Sequence, residues 1–298
     1  MRLLIAGWQG QVARAMVEMA PGDPSVTACA VGRPALDICE AKTIERAMVN
    51  TGPDVVINSA AYTAVDKAES EADQAFRMNR DGAKALAEAA ARRGIPIIHI
   101  STDYVFDGAK AGAYREEDAT GPVTVYGRSK LEGEDAVRAA NPRHVIVRTA
   151  WVHSATGSNF VKTMLRLAGE RDELRVVEDQ TGNPTYAPHL CAAILDIARQ
   201  VKGRPEDAGE WGLYHAAGSG VTTWCGFAGE VMRVSGALGG PSVPVRPITT
   251  ADYPTPAKRP VNSALDCGKM KRTFGIELPA WEQGAEACVT RLLDKTLS

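Results

Sequence analysis

The sequence predicts an α/β fold in which a doubly wound parallel sheet is followed by a smaller, mixed lobe. Three observations predict it. Over the first 150 residues, apolar runs of four to six residues alternate with longer helical patterns. Short apolar runs between helices mark strands covered on both faces, and their alternation with helices makes βαβ units with right-handed crossovers. The first run ends in a glycine-rich turn, and beyond Trp151 the pattern loosens into helices separated by Pro/Gly-rich segments.

The elements follow in order. Residues 3–6 read as the first strand and 12–19 as the first helix; 26–31 is a weaker strand. Residues 43–50 read as a helix and 54–58 (DVVIN) as a strand. The alanine-rich stretch 72–93 has neither glycine nor proline after Gly82, which predicts one long helix. A strand at 95–100 (IPIIHI), a helix at 129–140 and a strand at 145–148 (VIVR) complete the first half. In the second half 160–168 and 189–200 read as helices, with Pro/Gly-rich connections at 181–188, 236–247 and 254–260.

The totals narrow the function classes. A chain of 298 residues, 45% hydrophobic and 23% charged, can bury a large core. A net charge of -2 gives no electrostatic case for nucleic acid or an anionic membrane as partner. The six cysteines, Cys29, Cys39, Cys191, Cys225, Cys267 and Cys288, form no C-x-x-C pair. They predict scattered thiols in a reducing compartment, with neither a disulfide framework nor a metal site. No run reaches the ~18 apolar residues of a membrane span. The apolar start leads straight into the glycine turn and is not a signal peptide. The expectation is a cytoplasmic protein.

The glycine turn is G-W-Q-G-Q-V-A, with Gly7, Gly10 and Ala13 at the spacing G-x-x-G-x-x-A. Gly7 permits a tight turn, Gly10 lets the backbone approach a pyrophosphate, and a small residue at 13 lets the helix lie close to the sheet. The helix N-terminus offers free N–H groups and a positive dipole end to phosphates. A merely tight strand–helix turn is the alternative. The position, after the first strand and before the first helix, favours a dinucleotide site and a Rossmann-type sheet. Residues 1–150 are then a dinucleotide-binding domain and 151–298 mainly a substrate-binding lobe, interleaved with it. Such loops are followed by an acidic residue ~20 positions on that binds the adenosine ribose. Here the second strand ends in Val31, Gly32 and Arg33. With no carboxylate to repel a 2′-phosphate and Arg33 able to pair with one, NADPH is expected over NADH. A solvated turn residue is the alternative for Arg33. Asp37 and Ile38 are placed beside the adenine.

Tyr126 and Lys130 stand four apart in Y-G-R-S-K, one face of a helix. A free phenol, at pKa ~10, exchanges protons poorly at neutral pH. A neighbouring ammonium is expected to lower that value, giving a proton donor suited to ketone reduction. Such a pair also occurs by chance on surface helices. Ser101, Thr102 and Asp103 directly follow the run IPIIHI. That puts a hydroxyl at the carboxyl end of a parallel strand, where these sheets bind ligands. Thr102 could donate to a carbonyl oxygen as charge develops there; a local cap is the alternative.

Together these segments resemble the extended short-chain dehydrogenase/reductase family. The resemblance rests on GWQGQVA at 7–13, PDVVINSAAYTAVDKAESE at 53–71, HISTDYVFDG at 99–108 and VYGRSKLEGE at 125–134. VRTAWVHSATGSNFVKTML at 147–165, DQTGNPTYA at 179–187 and RPVNSALD at 259–266 carry it across nearly the whole chain. It implies reduction of the C4 ketone of a dTDP-linked 6-deoxysugar, a small-molecule nucleotide-sugar partner, and a monomer or homodimer. Tyr126 would be the proton donor, Lys130 its partner, and Thr102 the hydroxyl of the triad. Gly10, Gln11 and Val12 would hold the pyrophosphate, and Ala61, Tyr62 and Thr63 would line the cofactor. Asp103 and Trp151 would contact the sugar, with ordinary core packing the alternative for Trp151. Asn159 would help bind the diphosphate or be a plain N-cap. Arg259 is a nucleotide or phosphate contact on the resemblance alone. Some members carry a first-helix glutamate in a magnesium-linked dimer; the matching position here is Ala13, which argues against that site. Two rival readings share these residues: a reductase of a related nucleotide ketosugar, and a non-catalytic NADP-binding regulatory subunit of a methionine adenosyltransferase.

Overall fold

Six short strands run parallel in the central sheet: β1 (Arg2–Ala6), β2 (Thr27–Val31), β3 (Val55–Asn58), β4 (Ile97–Thr102), β5 (His144–Thr149) and Gly212–His215. This computed structural model describes residues 1–294. Across the sheet the order is Gly212–His215, β5, β4, β3, β1, β2, and every neighbouring pair is parallel. The chain leaves β1 for β2 on one side and returns to β3 on the other. The carboxyl ends of β1 and β3 therefore part around a crevice, the switch point at which such sheets bind ligands.

The helices are α1 (Gln11–Met19), α2 (Ala41–Thr51), α3 (Val65–Ala68), α4 (Ala72–Phe76), α5 (Ala83–Ala91), α6 (Val125–Ala140), α7 (Phe160–Ala168), α8 (Ala187–Val201), α9 (Trp224–Ala237), α10 (Gly268–Phe274) and α11 (Trp281–Leu293). Strand periodicity divides the core between the two faces. Leu3, Ile5, Val55, Ile57, Ile98, Val145 and Val147 pack with residues of α1, α8 and α10. Leu4, Ala6, Val56, Ile97 and Ile146 pack with α2, α5 and α6. A separate core of α7, α9 and α11, centred on Phe227, Val231 and Trp281, builds the second lobe. That lobe also holds a parallel strand pair, Leu174–Val177 with Val245–Ile248. Among the described residues no helix is long and apolar enough to cross a membrane.

Four expectations are corrected. The long helix at 72–93 is broken by a π-helical turn, Arg77–Gly82, between α4 and α5. The fourth strand ends at Thr102, so Ser101 and Thr102 lie within it, paired with Arg148 and Thr149 of β5. Helix α6 begins at Val125, four residues early, because the Thr124 side chain caps it by accepting from the Gly127 N–H at 2.9 Å. Finally, the Pro/Gly-rich connections at 181–188 and 236–247 contain the short strands Thr181–Gly182, Thr185–Tyr186 and part of Val245–Ile248. The second of these connections also takes in the last residues of α9, which runs to Ala237.

Candidate active site

The loop after β1 reaches Gly7, whose φ of +105° is a conformation that favours glycine. Its N–H donates to the Val31 carbonyl at 2.9 Å, tying the turn to β2. Gly10 precedes α1 with no side-chain cap, and α1 has no acidic residue in its first turn. The helix N-terminus therefore presents bare N–H groups to an anion. A cavity of about 410 Å³ runs from this loop to the end of β2, lined by Gly7, Trp8, Gly10, Arg33, Asp37 and Ile38, among others. A second, of about 530 Å³, shares Gly10, Ser59, Ala61 and Thr63 with the first. It continues past Gln11 and Val12 to Thr102, Asp103, Tyr126, Lys130, Trp151 and Trp224. The shape suits an extended dinucleotide at one end and a smaller ligand at the other.

Helix α6 delivers Tyr126 and Lys130. Gly127 between them lets α6 lie against the Tyr104 carbonyl, 2.2 Å from where a Cβ would stand. Tyr126 is 9% exposed, and burial pushes its phenol up to about 12, with Thr102 acting in the opposite direction. The expected acidification by Lys130 does not appear: the phenol lies above its ordinary value, and the group that acts to lower it is Thr102. Lys130 is itself buried, which brings its amine down to about 8, with Glu134 acting the other way. Its Nζ donates to the Ile100 carbonyl at 2.7 Å. Behind it Glu134 takes two hydrogen bonds from Arg148, at 2.8 and 2.6 Å, and one from Ser101 at 2.5 Å.

Thr102, at the end of β4, donates its hydroxyl to Asp103 Oδ1 at 2.9 Å and accepts from the Tyr104 N–H at 3.2 Å. Its single hydrogen is therefore committed to Asp103, and donation to a ligand needs a turn of the hydroxyl. Burial raises the Asp103 carboxyl to about 6, with Ser263 and Thr102 acting the other way. Its Oδ2 is buried with no partner. Trp151 closes the far wall. Its backbone is left-handed, φ 45°, a conformation that costs of order 1 kcal/mol for such a residue. The Trp151 ring stacks on Trp224 at 3.6 Å and 8°.

Three residues singled out in the sequence do not line the cavities. The Tyr62 hydroxyl is bonded to Glu71, and the Tyr62 N–H donates to Asn79 Oδ1 at 2.8 Å. Asn159 caps α7, accepting from the Lys162 N–H, and its Nδ2 reaches Gln11 Oε1 at 3.0 Å. Arg259 pairs with Asp66 at 2.8 Å. Conversely Trp8, Ser59, Thr149 and Trp224 line the site without having been singled out. Ser59 follows DVVIN at the sheet's carboxyl edge, a readable signal. Trp224 arrives from a distant helix and leaves none. Among the described residues, no group of three or more His, Cys, Asp or Glu side chains is placed to hold a metal ion.

A Rossmann-type sheet with a phosphate-ready first turn, and a buried Tyr/Lys pair at its carboxyl edge, define a nucleotide-dependent oxidoreductase. The family model for the RmlD substrate binding domain matches residues 1–294, and the chain belongs to that family. It is 51% identical over 293 residues to a dTDP-4-dehydrorhamnose reductase of Sinorhizobium fredii, covering 98% of each chain. A solved dTDP-4-dehydrorhamnose reductase from Clostridium acetobutylicum superimposes with a TM-score of 0.90 at 38% identity, over 98% of this chain and 99% of that one. Another, from Bacillus anthracis in complex with NADP, gives 0.89 at 32% identity, over 97% and 99%.

Proposed function

We propose that this chain reduces the C4 ketone of dTDP-4-dehydro-L-rhamnose to dTDP-L-rhamnose, with NADPH as the reductant. The observation that carries the reading is the continuity of the two cavities. One open path joins the anion-ready turn at Gly10 to Tyr126, Thr102 and Trp151. The dinucleotide fits the first cavity: Gly10, Gln11 and Val12 would hold its pyrophosphate, Arg33 its 2′-phosphate, and Asp37 and Ile38 would flank its adenosine. When bound, the nicotinamide supplies a hydride to C4. Tyr126 keeps its proton well above neutral pH and delivers it to the ketone oxygen. Thr102, once its hydroxyl turns from Asp103, donates to that oxygen; Asp103 accepts from a hydroxyl of the sugar, and Trp151, backed by Trp224, offers the sugar an apolar wall. Lys130, in the next turn of α6, steadies the phenol's surroundings.

Residues 1–150 serve the nucleotide and 151–298 mainly the sugar; residues 295–298 lie outside the described residues. The division is interleaved, since α8, α10 and the strand Gly212–His215 pack with the first half. A reducing cytoplasm suits the six free cysteines, and the working unit is read as a monomer or homodimer. The test is oxidation of NADPH, followed by absorbance, with enzymatically generated dTDP-4-dehydro-L-rhamnose. Turnover with a kcat/KM for NADPH above that for NADH is expected. A clear NADH preference would remove the role given to Arg33. Absence of turnover, with NADPH still bound, would shift the reading to a related ketosugar or to a regulatory subunit.

A further inference from the structure

Trp151 is held from three directions by residues of the second lobe. Its backbone carbonyl accepts from the Thr185 N–H at 3.2 Å. One face of its indole lies on Trp224 at 3.6 Å and 8°. Trp224 has no room to retreat. It opens α9 behind the Thr223 cap, with the Phe160 ring 4.7 Å away, centroid to centroid, and Phe227 beyond. The N–H edge of the Trp151 ring meets Gly182. A Cβ at Gly182 would stand 2.6 Å from Cε2 and 2.8 Å from both Nε1 and Cζ2. The backbone at Gly182 is pinned as well. Thr181–Gly182 pairs with Thr222–Thr223. The Thr181 N–H donates to the Val261 carbonyl at 2.8 Å, and the Thr181 carbonyl accepts from the Ser263 N–H at 2.8 Å. The direction left to the ring is the cavity it shares with Thr102, Asp103 and Tyr126.

We propose that Gly182 and Trp224 are positioning residues that set the width of the sugar pocket through Trp151, with Gly182 the size-determining position. The inference rests on the reading of that end of the cavity as the sugar's. Glycine is required at 182 for clearance and not for its backbone, whose φ is not among the positive ones. A glycine within a strand packs nothing of its own and marks a close approach by another group. Carbon atoms meet at about 3.5 Å or more, so a methyl at 182 displaces the indole by about 1 Å. Trp224 blocks one face and the pinned backbone does not yield, so the ring moves into the cavity. Interiors packed to crystal-like density transmit such a shift instead of absorbing it. The adenosine end, at Arg33, Asp37 and Ile38, lies in the other cavity, which Trp151 does not line. Affinity for the sugar is therefore set at Gly182 and Trp224 independently of affinity for NADPH.

A double-mutant cycle separates clearance from simple packing. Gly182→Ala should weaken binding of dTDP-L-rhamnose, measured by calorimetry, by roughly tenfold or more, the scale of one misplaced methylene in a pocket. It should raise KM for the ketosugar in step while NADPH affinity stays within about twofold of native. In a Trp151→Phe background the N–H edge of the indole is gone. There the same alanine should change sugar binding by less than about twofold. Circular dichroism reads the ring without any ligand. Indoles stacked this closely couple their transitions, and the resulting couplet should shift in Gly182→Ala and vanish in Trp224→Leu. Trp224→Leu also guards against an alanine variant that fails to fold; it should weaken sugar binding with NADPH affinity held. Native affinity for dTDP-L-rhamnose in both variants would overturn the proposal. So would an equal loss from Gly182→Ala in the Trp151→Phe background, or NADPH affinity falling in parallel with the sugar's. A native chain that binds NADPH but no dTDP-L-rhamnose would overturn the sugar reading and this inference with it, whereas sugar binding that the variants leave unchanged overturns the inference alone.

Discussion

At the residue scale, Tyr126 and Asp103 respond most sharply to substitution. Tyr126→Phe should lower kcat by ~10²–10⁴, the range for loss of a general acid, while NADPH affinity measured by calorimetry stays near native. Asp103 makes a prediction of opposite flavour. Its carboxyl is raised to about 6 by burial, so the folded state holds that proton more tightly than the unfolded one. At pH 7 the ionised group therefore costs stability, and the cost fades as pH falls below about 6 toward the ordinary carboxylate range. Asp103→Asn should stabilise the fold at pH 7 by roughly 2–3 kcal/mol, with the gain shrinking by pH 4; urea unfolding at both pH values checks it. Tyr126, Lys130 and Thr102 were legible because their spacing and their place after a strand have physical meaning. The state of the phenol was not. A one-dimensional reading sees the lysine four residues on but not the burial that raises the phenol, nor the hydroxyl geometry that commits Thr102 to Asp103.

At the element scale, α6 and the π turn Arg77–Gly82 hold the site's floor. Asn79 in that turn donates to Ser129 Oγ at 2.9 Å and to the Tyr62 carbonyl at 3.1 Å, bracing the loop that carries Ala61 and Thr63. A Cβ at Gly133 on α6 would stand 2.1 Å from the Asn79 carbonyl oxygen. Gly133→Ala should therefore cost about 1–3 kcal/mol, the range for overpacking, and weaken NADPH binding through the displaced loop. Deeper in α6, Glu134→Ala leaves Arg148, 2% exposed, without its partner. Breaking a buried pair in this way costs about 3–5 kcal/mol, and denaturant titration of the variant measures it. The long alanine-rich run was readable as helix because its propensity is high throughout. The π turn was not, because it answers to packing against Gly133 and to the side chain of Asn79. Helix α6 was read short for a related reason: the cap Thr124 and the glycine at 127 do not look helical until the fold places them.

At the scale of the whole molecule, Gln11 joins the two lobes. From the nucleotide loop its Nε2 donates to the Val152 carbonyl at 3.2 Å, while its Oε1 accepts from Ser154 and Asn159, each at 3.0 Å. Gln11→Ala should weaken both NADPH affinity and the sugar's KM by roughly three- to tenfold, since each net hydrogen bond contributes about 0.5–1.5 kcal/mol; a change confined to NADPH would separate the lobes. The parallel sheet was legible from the alternation of short apolar runs and helices. Its sixth strand, Gly212–His215, was not. It is four residues long, carries no periodicity, and returns from the second half to pair with β5. Likewise Trp224 meets Trp151 only because α9 folds over the strand's end. Hydride transfer is read most directly by following deuterium, by NMR, from NADPH labelled at C4 of its nicotinamide to the sugar. The expected product is dTDP-L-rhamnose carrying deuterium at C4. NADPH bound but not oxidised, or a product without the label at C4, would contradict it.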